Sequence, residues 1–585
     1  MRSRSHLVLA CVAVLLAAAD TYVVVLALPD IMVGVGLDVD ELQRATPVIS
    51  GFLLGYVAML PLIGRLSDLF GRTPVLVAAV LLFALGSLLT AASYDLGIVV
   101  VGRFLQGVGG GGLVPATLAL VANLWPPERR GVPLGVVGAV QELGSVVGPL
   151  YGAVILLVAD WRMIFWVNLG CGLLLALGFR RTTAGTGAPL RPPRDLPGVV
   201  LALLTTTALT LTLTAPGRLV TDVTLGLAFI PFTGESRLAT PIGAATLVLA
   251  VLFVVRQATA AGPLLDLRRL PTIVAAADFP GAVLLGLALG GVVLTFAVAD
   301  PATEILSPAG PWLLGAAVVC ALAFGWRQLR ATNPIVPRRT LTAPAAWGAL
   351  VVSFFTGAAL IAALVDVPIF ARATRYPDSQ FGAALVLLRF LVALPVGALV
   401  GGWLTRRIQP ALLTAAGMAM SAAAFVAMAG WRQDALDGSW SHVALVVGGF
   451  GFGLAIAPVN AALLAATRAE THGVASALLV VARMVGMLVG LSALTAVGLR
   501  RFFAEQARIP TPEKLCPETP AQCPAYADAL RDAAILQLHT IFAGAACCAA
   551  AAAVIAMFTL RSPLHGRDSA KPRTRDSRPT AAPTS

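Results

Sequence analysis

The sequence predicts an all-α polytopic membrane protein, built as two six-helix pseudo-repeats with a central helical insert. Three observations predict it. With 58% hydrophobic and 12% charged residues, and a mean hydropathy of +0.88, the chain is far more apolar than soluble globular proteins, which are about 25% charged. Apolar stretches of about 18 or more residues, the length that crosses a bilayer core, recur along the whole chain. A segment near residue 131 is echoed in the last third.

In chain order, the candidate helices lie near 7–29, 47–66, 74–93, 98–122, 132–157 and 162–179, then 197–215, 239–256, 274–299 and 309–328. The last group lies near 345–370, 381–403, 410–430, 441–466, 473–499 and 534–560. That makes about sixteen, with about fourteen as the alternative if the insert contributes two spans instead of four. The start, MRSRSHLVLACVAVLLAAAD, imitates a signal peptide, but its apolar run continues through TYVVVLALP and is long enough to span, which predicts an uncleaved first helix.

Basic residues fix the expected orientation. GRLSDLFGRT, PPERRG, DLRRL, WRQLRATNPIVPRR, TRRIQ and the Arg-rich tail fall on one side of the predicted spans, and the opposite loops are acidic or nearly neutral. By the positive-inside rule both termini are cytoplasmic, in a multi-pass inner (plasma) membrane protein. The net charge of +12 is thereby placed in short loops, which argues against nucleic-acid binding.

The repeat aligns GVPLGVVGAVQELGSVVG with GVASALLVVARMVGMLVG, so that Gly131, Gly144 and Gly148 meet Gly473, Gly486 and Gly490 at one constant offset. The fifth helix is thus echoed by the fifth of the last six, the pattern of repeat-built transporters. The insert looks duplicated in turn: RDLPGVVLALL at Arg194 resembles ADFPGAVLLGL at Ala277, and PLLDLRRL at Pro263 resembles PIVPRRTL at Pro334. The expected domains are residues 1–193, an insert over 194–340, a second half over 341–561 with a long external loop at 500–533, and a Pro-, Ser- and Arg-rich disordered tail over 562–585. In the insert's first unit, the tip GRLVTDVTLGLAFIPFTGESRL suggests a small external hairpin, with an unstructured loop as the alternative. Residues 526–558 hold no proline and one glycine, so one helix of about 50 Å is expected to project beyond a bilayer core of about 30 Å; a break near Gln537 is the alternative.

Charged residues inside apolar spans are expensive and default to a functional hypothesis. Asp20, Glu142, Arg389 and Arg483 lie well inside spans and Arg103 a turn or two inside its own; salt bridges that merely orient helices are the plainer reading. Arg483 aligns with Gln141, next to Glu142, so an acid and a base stand at nearly equivalent points of the two halves. Asp20 is expected to compete for the same arginine and is the first choice as partner of Arg483. Burial favours the neutral carboxyl and a nearby arginine the charged one, so motion of Arg483 away from either acid would bind or release a proton. Gly144, Gly148 and Gly152 follow small-xxx-small spacing, with Pro149 able to bend the helix; helix packing alone would explain the glycines.

Other chemistry is thinly represented. Cys516 and Cys523 flank a polar external loop where a disulfide could form in an oxidising compartment; the other cysteines read as small buried hydrophobes. The five histidines show no catalytic or metal spacing, and no nucleotide-binding loop occurs, so no cofactor is expected and a proton gradient would be the driving force. GVGGGG at Gly107 lies within a predicted helix, where packing is the expected role.

These residues bring a family into view. GRLSDLFGRT at Gly64 resembles the cytoplasmic loop motif of the major facilitator superfamily, RFLQGVGGGG at Arg103 its fourth-helix motif, and GSVVGPLYG at Gly144 the fifth-helix motif of its antiporters. AADTYVVVLALP at Ala18 and DWRMIFWVN at Asp160 are similar to the drug:proton antiporter branch with extra central helices. DTYVVV, AVQELGSVVGPLYG, ALVDVPIF, LVVARMVGMLVG and the long last external loop resemble mycobacterial lipid exporters that work with a triacylglyceride-carrying lipoprotein.

The resemblance implies that Asp68 and Arg72, with Gly64 and Gly71 permitting close approach and a tight turn, latch the halves in an outward-open state. It also implies a monomeric, non-enzymatic, proton-coupled exporter of lipids or lipophilic compounds working by alternating access, with membrane lipid around it and a periplasmic lipoprotein as a partner. Multidrug efflux is the main alternative, and a membrane scaffold for a lipoprotein a minor one. A polytopic transferase would need a clustered catalytic acid or histidine at an interface, which the sequence does not offer.

Overall fold

The computed structural model describes residues 2–37, 42–183, 195–297, 309–516 and 523–561, apart from 235, 261, 265, 266, 270, 273–275, 339 and 378. The tail over 562–585 and the start of the insert at 194 lie outside the described residues. The first half consists of α1 (Arg2–Gly34), α2 (Leu42–Phe70), α3 (Arg72–Ala92), α4 (Leu96–Leu124), α5 (Gly131–Val158) and α6 (Arg162–Thr183). The insert contributes α7 (Leu196–Thr214), α8 (Pro241–Thr259), α9 (Phe279–Ala297) and α10 (Gly310–Arg330). The second half contains α11 (Pro344–Ala373), α12 (Gln380–Leu404), α13 (Pro410–Met428), α14 (Ser439–Ala466), α15 (His472–Gln506) and α16 (Pro524–Thr559). Among the described residues, 15 helices are long and apolar enough to cross a membrane, and α9 is a further apolar helix.

Each half packs around its own core, and glycines set how closely the helices approach. Any side chain at Gly107 or Gly109 would strike the backbone of Phe52 in α2 or Phe83 in α3, so the glycine run seats α4 between its neighbours instead of cradling a phosphate. The aligned glycines of the repeat do equivalent work in both halves. Gly144 and Gly148 press α5 onto Ala18 and Ala19 of α1, and Gly486 and Gly490 press α15 onto Phe354 and Ala358 of α11. Gly131 meets Gly402 of α12 and Thr405 just after it across the halves, and Gly473 meets Gly64 of α2.

The insert forms two helix pairs, α7 with α8 and α9 with α10. In each pair an aspartate just before the first helix bonds an arginine late in the second: Asp195 with Arg256 at 2.8 Å and Asp278 with Arg327 at 2.7 Å. The glycines of the two Pro-Gly steps, Gly198 and Gly281, both back onto their own aspartate. The α9–α10 pair packs on α2, whereas the α7–α8 pair sits at the periphery beside α3.

The expected hairpin at the tip of the first unit is corrected. The described residues of this tip form short helical turns, Gly217–Val220, Gly226–Phe229 and Arg237–Ala239. Asp222 accepts from the Thr224 and Leu225 amides at 2.9 Å each, a local turn that competes with strand pairing. Those amides and the Thr224 hydroxyl hold its carboxyl below the usual range. Arg237 fastens the tip, lying 4.6 Å over the Tyr94 ring and donating to the Leu213 carbonyl at 2.6 Å.

Opposite the end that carries residue 2 and Thr559, two helices run long. α15 has 35 residues and α16 has 36, unbroken through Gln537, giving α16 a length of about 54 Å. Between them Cys516 and Cys523 are disulfide-bonded, with Cα atoms 5.6 Å apart.

Candidate functional site

Asp20, Glu142, Arg103 and Arg483 form two ion pairs on two levels of burial. Asp20, midway along α1, pairs with Arg103 of α4 at 2.5 Å, and each side chain is 1% exposed or less. Asn168 of α6 donates to the other Asp20 oxygen at 2.6 Å. Gln106, one turn after Arg103, accepts from Arg103 at 3.0 Å and donates to Ser87 at 2.8 Å. The Arg103 guanidinium lies 4.4 Å over the Phe52 ring. Both charges are therefore neutralised and hydrogen-bonded inside the first half.

That arrangement corrects the expectation that Asp20 pairs with Arg483. α4 packs against α1 within one half and brings Arg103 to Asp20. Arg483 comes from the other half and reaches only a helix that faces the interface. It finds Glu142 of α5, with Arg483 Nη1 3.2 Å from Glu142 Oε1 and exposures of 12% and 10%. The Ser145 hydroxyl donates to the Glu142 carbonyl one turn on.

This second pair lines a cavity of about 240 Å³ between the halves, bounded by Thr21, Tyr22, Phe52, Tyr56, Gln141, Leu360, Met484 and Met487 among others. A smaller cavity of about 40 Å³, with Ser353, Thr356 and Asn460 on its wall, shares Arg483 and Gln141 with the first. Besides the ion pair, the polar groups of the main wall are Thr21, Gln141 and the hydroxyls of Tyr22 and Tyr56, and the rest is aliphatic, phenylalanine or methionine. Such a cavity suits a largely apolar guest with one polar region.

Beyond these cavities, toward the termini, the halves are closed on each other. Asp68 accepts from the Gly473 and Val474 amides at 2.8 and 3.0 Å, so one carboxylate caps the exposed N–H groups that begin α15. Arg72 pairs with Asp68 at 3.0 Å and donates to the Ala469 carbonyl at 2.8 Å. Gly71 adopts φ +91°, a backbone state open essentially to glycine alone, and turns the chain so that both charges face the second half. The α5–α12 contact mirrors this closure through Gly135 and Ala398. The buried core of the first half accordingly runs on into Ala457, Ala477 and Val480 of the second.

The remaining expected residues lie elsewhere. Arg389, on α12, donates to the Leu385 carbonyl of its own helix at 3.3 Å and joins neither pair. Gly152 continues the buried face of α5 that carries Gly144 and Gly148, and Pro149 lies within the same helix. Sequence reasoning missed Asn168, Gln106 and Tyr56, polar residues of ordinary type whose positions matter only once the helices pack. It also passed over Asp366, 4% exposed within α11, although a carboxylate in an apolar span was the signal that singled out Asp20 and Glu142.

The Major Facilitator Superfamily model matches residues 10–327. The chain belongs to the major facilitator superfamily. It is 36% identical over 576 residues to a triacylglyceride transporter of Mycolicibacterium hassiacum, covering 95% of this chain and 92% of the relative. A triacylglyceride transporter of Mycolicibacterium smegmatis is 34% identical, with 93% and 85% covered, and one from Mycobacterium tuberculosis is 35% identical, with 84% and 82% covered. Among solved structures, the facilitator proton:xylose symporter XylE aligns with a TM-score of 0.53 at 12% identity, covering 96% of each chain. The human organic anion transporter MFSD10 aligns with a TM-score of 0.50 at 15% identity, covering 96% of this chain and 99% of that one. This facilitator is therefore a multi-pass membrane transporter, with an insert between the two six-helix halves.

Proposed function

We propose that this transporter exports lipids of triacylglyceride type, or similarly lipophilic compounds, across the inner membrane by proton-coupled alternating access, with both termini cytoplasmic. The observation that carries the reading is the Glu142–Arg483 pair, the charged link between the halves inside a largely apolar cavity. The closed termini end supports an outward-facing state, in which Asp68 and Arg72 form the latch. A proton arriving from outside neutralises Glu142, Arg483 loses its partner, and the halves are free to rock about the cavity. Asp20 acts in this scheme as the fixed charge that holds Arg103 and the shape of α1 behind the cavity wall. The curated relatives' printed cargo supports a lipid. The length of α15 and α16 supports their outer ends as the surface that meets a periplasmic lipoprotein, and a monomer is sufficient for the mechanism.

Multidrug efflux is the second reading, favoured by the methionines and aromatics of the cavity wall, which can repack around different guests. One experiment separates the two. In a strain lacking its own lipid exporter, wild type and Glu142→Gln are compared for envelope triacylglyceride and for accumulation of a lipophilic dye. Lipid restored by wild type and lost in the variant, at equal membrane protein level, supports the proposal. Dye efflux restored without any change in lipid selects the second reading, and full lipid export by Glu142→Gln overturns the coupling role.

A further inference from the structure

Beside the termini-end latch lies a cleft of about 400 Å³ that plays no part in the cavity mechanism. Three separately connected pieces of the chain wall it, and each presents an arginine. Arg65 comes from α2 in the first half, Arg338 from the segment joining the insert to the second half, and Arg468 from the turn between α14 and α15. Among the described residues none of the three forms an ion pair with a carboxylate. Asp68 is the acid nearest in sequence to Arg65, and it is occupied by Arg72 and the start of α15. The buried Nε of Arg65 has no hydrogen-bond partner.

Two matching turns hold the other arginines in place. Thr340 donates from its hydroxyl to the Pro337 carbonyl at 2.7 Å, and Thr471 does the same to the Arg468 carbonyl at 3.0 Å. The backbone amides of both threonines bond the same carbonyls. Arg338 spends one donor on the Leu329 carbonyl at 2.6 Å, leaving most of its five N–H groups for another acceptor. One carboxylate, Glu470, also lines the cleft and is exposed, so the walls still carry a cationic excess.

We propose that this cleft seats a phosphate group, presented by the headgroup of an anionic phospholipid, and that its occupation holds the termini end shut. The guanidinium fork matches phosphate oxygens in geometry and charge. Basic pockets at the rim of membrane-spanning helices suit anionic headgroups. Arg65 follows Gly64, which abuts Gly473, and Arg468 precedes the same Gly473 by little more than a turn. Rocking the halves apart at the latch therefore pulls Arg65 away from Arg468, and a bound phosphate favours the closed arrangement by its differential affinity for it. The inference rests on the cleft and the latch alone and does not depend on the cargo or on proton coupling.

The test uses the full-length protein in phosphatidylcholine nanodiscs and reads the thermal unfolding midpoint, which rises when a ligand binds the folded state. Phosphatidylglycerol is titrated into the discs in one arm, and glycerol phosphate or inorganic phosphate into the buffer in the other. The expected result is a saturating rise with phosphatidylglycerol, its midpoint shifted about fivefold to higher lipid for each of Arg65, Arg338 and Arg468 changed to Gln. Glu470→Gln should shift it the other way, an outcome that loss of folding cannot mimic. A rise with soluble phosphate that is equally sensitive to these variants keeps the phosphate site and moves its source to solution. No rise with any probe, or a rise that Arg338→Gln, Arg468→Gln and Glu470→Gln all leave unchanged, overturns the proposal.

Discussion

The two ion pairs of the bundle core are chemically alike and differ in what a broken contact would release. Asp20 and Arg103 belong to one half and are enclosed by Asn168, Gln106 and Phe52 of that same half. Glu142 and Arg483 belong to different halves and border a cavity. The first pair is thus a structural fixture, with Asp20 bonded by Arg103 and Asn168 and Arg103 bonded in turn to Gln106. The second is a switch candidate, because its two charges come from different halves and meet at a cavity wall. A charge in an apolar span announces importance, and the surroundings decide whether it is importance for folding or for motion.

Removing one member of each pair should separate these roles, and the largest expected effect is at the enclosed pair. Asp20→Ala leaves the Arg103 charge buried without a counterion and should destabilise the protein by about 3–5 kcal/mol, seen as a lower thermal midpoint in detergent and less protein in the membrane. Asp20→Asn, which keeps hydrogen-bonding capacity, should lose less.

At the cavity pair the balance is reversed. Glu142→Gln should cost less stability than Asp20→Ala, because the amide keeps the side-chain volume and an acceptor oxygen for Arg483 at the cavity wall, while transport loses its dependence on an imposed pH gradient. Measuring the thermal midpoint and gradient-driven export on the same preparation checks both halves of the statement. Equal loss of stability at Asp20 and at Glu142 would erase the comparison.

The latch offers an intermediate case. Asp68→Asn replaces a charged acceptor of two backbone amides with a neutral one and should weaken closure by about 1.5–3 kcal/mol, read as faster thiol labelling of a cysteine placed at Leu479, buried behind the latch. Gly64→Val should act in the same direction by steric force, since even a Cβ there would lie 2.6 Å from the Gly473 carbonyl. The smallest effect is expected in the insert. Arg256→Gln, at a guanidinium 39% exposed, should lower the thermal midpoint less than any of these, since Asp195 keeps the Gly198 amide and Gln257, and should leave transport intact.

Much of this was legible before any coordinates. Spans could be counted because each must be long and apolar by itself, and the constant offset of Gly131, Gly144 and Gly148 from Gly473, Gly486 and Gly490 exposed the two halves. The duplicated insert was visible in its two Pro-Gly steps, although its paired ion bridges were not. Glu142 and Arg483 could be nominated as partners because the repeat placed them at matching turns. The preference for Asp20 as partner of Arg483 failed because a charge inside a span carries no record of which neighbour its helix face meets. Asn168 and Gln106 settled that question, and nothing in their type distinguishes them from polar residues elsewhere.

The sequence by itself determined the helices, the repeat, the membrane setting and the small set of charges that must matter, since these follow from local composition and from the penalty for a charge in lipid. Only the tertiary structure decided which charges neutralise each other, which end of the bundle is closed, and that three arginines far apart in the chain share one cleft. Those outcomes depend on the faces that packed helices present to one another. Glycines such as Gly64, Gly144 and Gly148 set that packing by how near they let two backbones come.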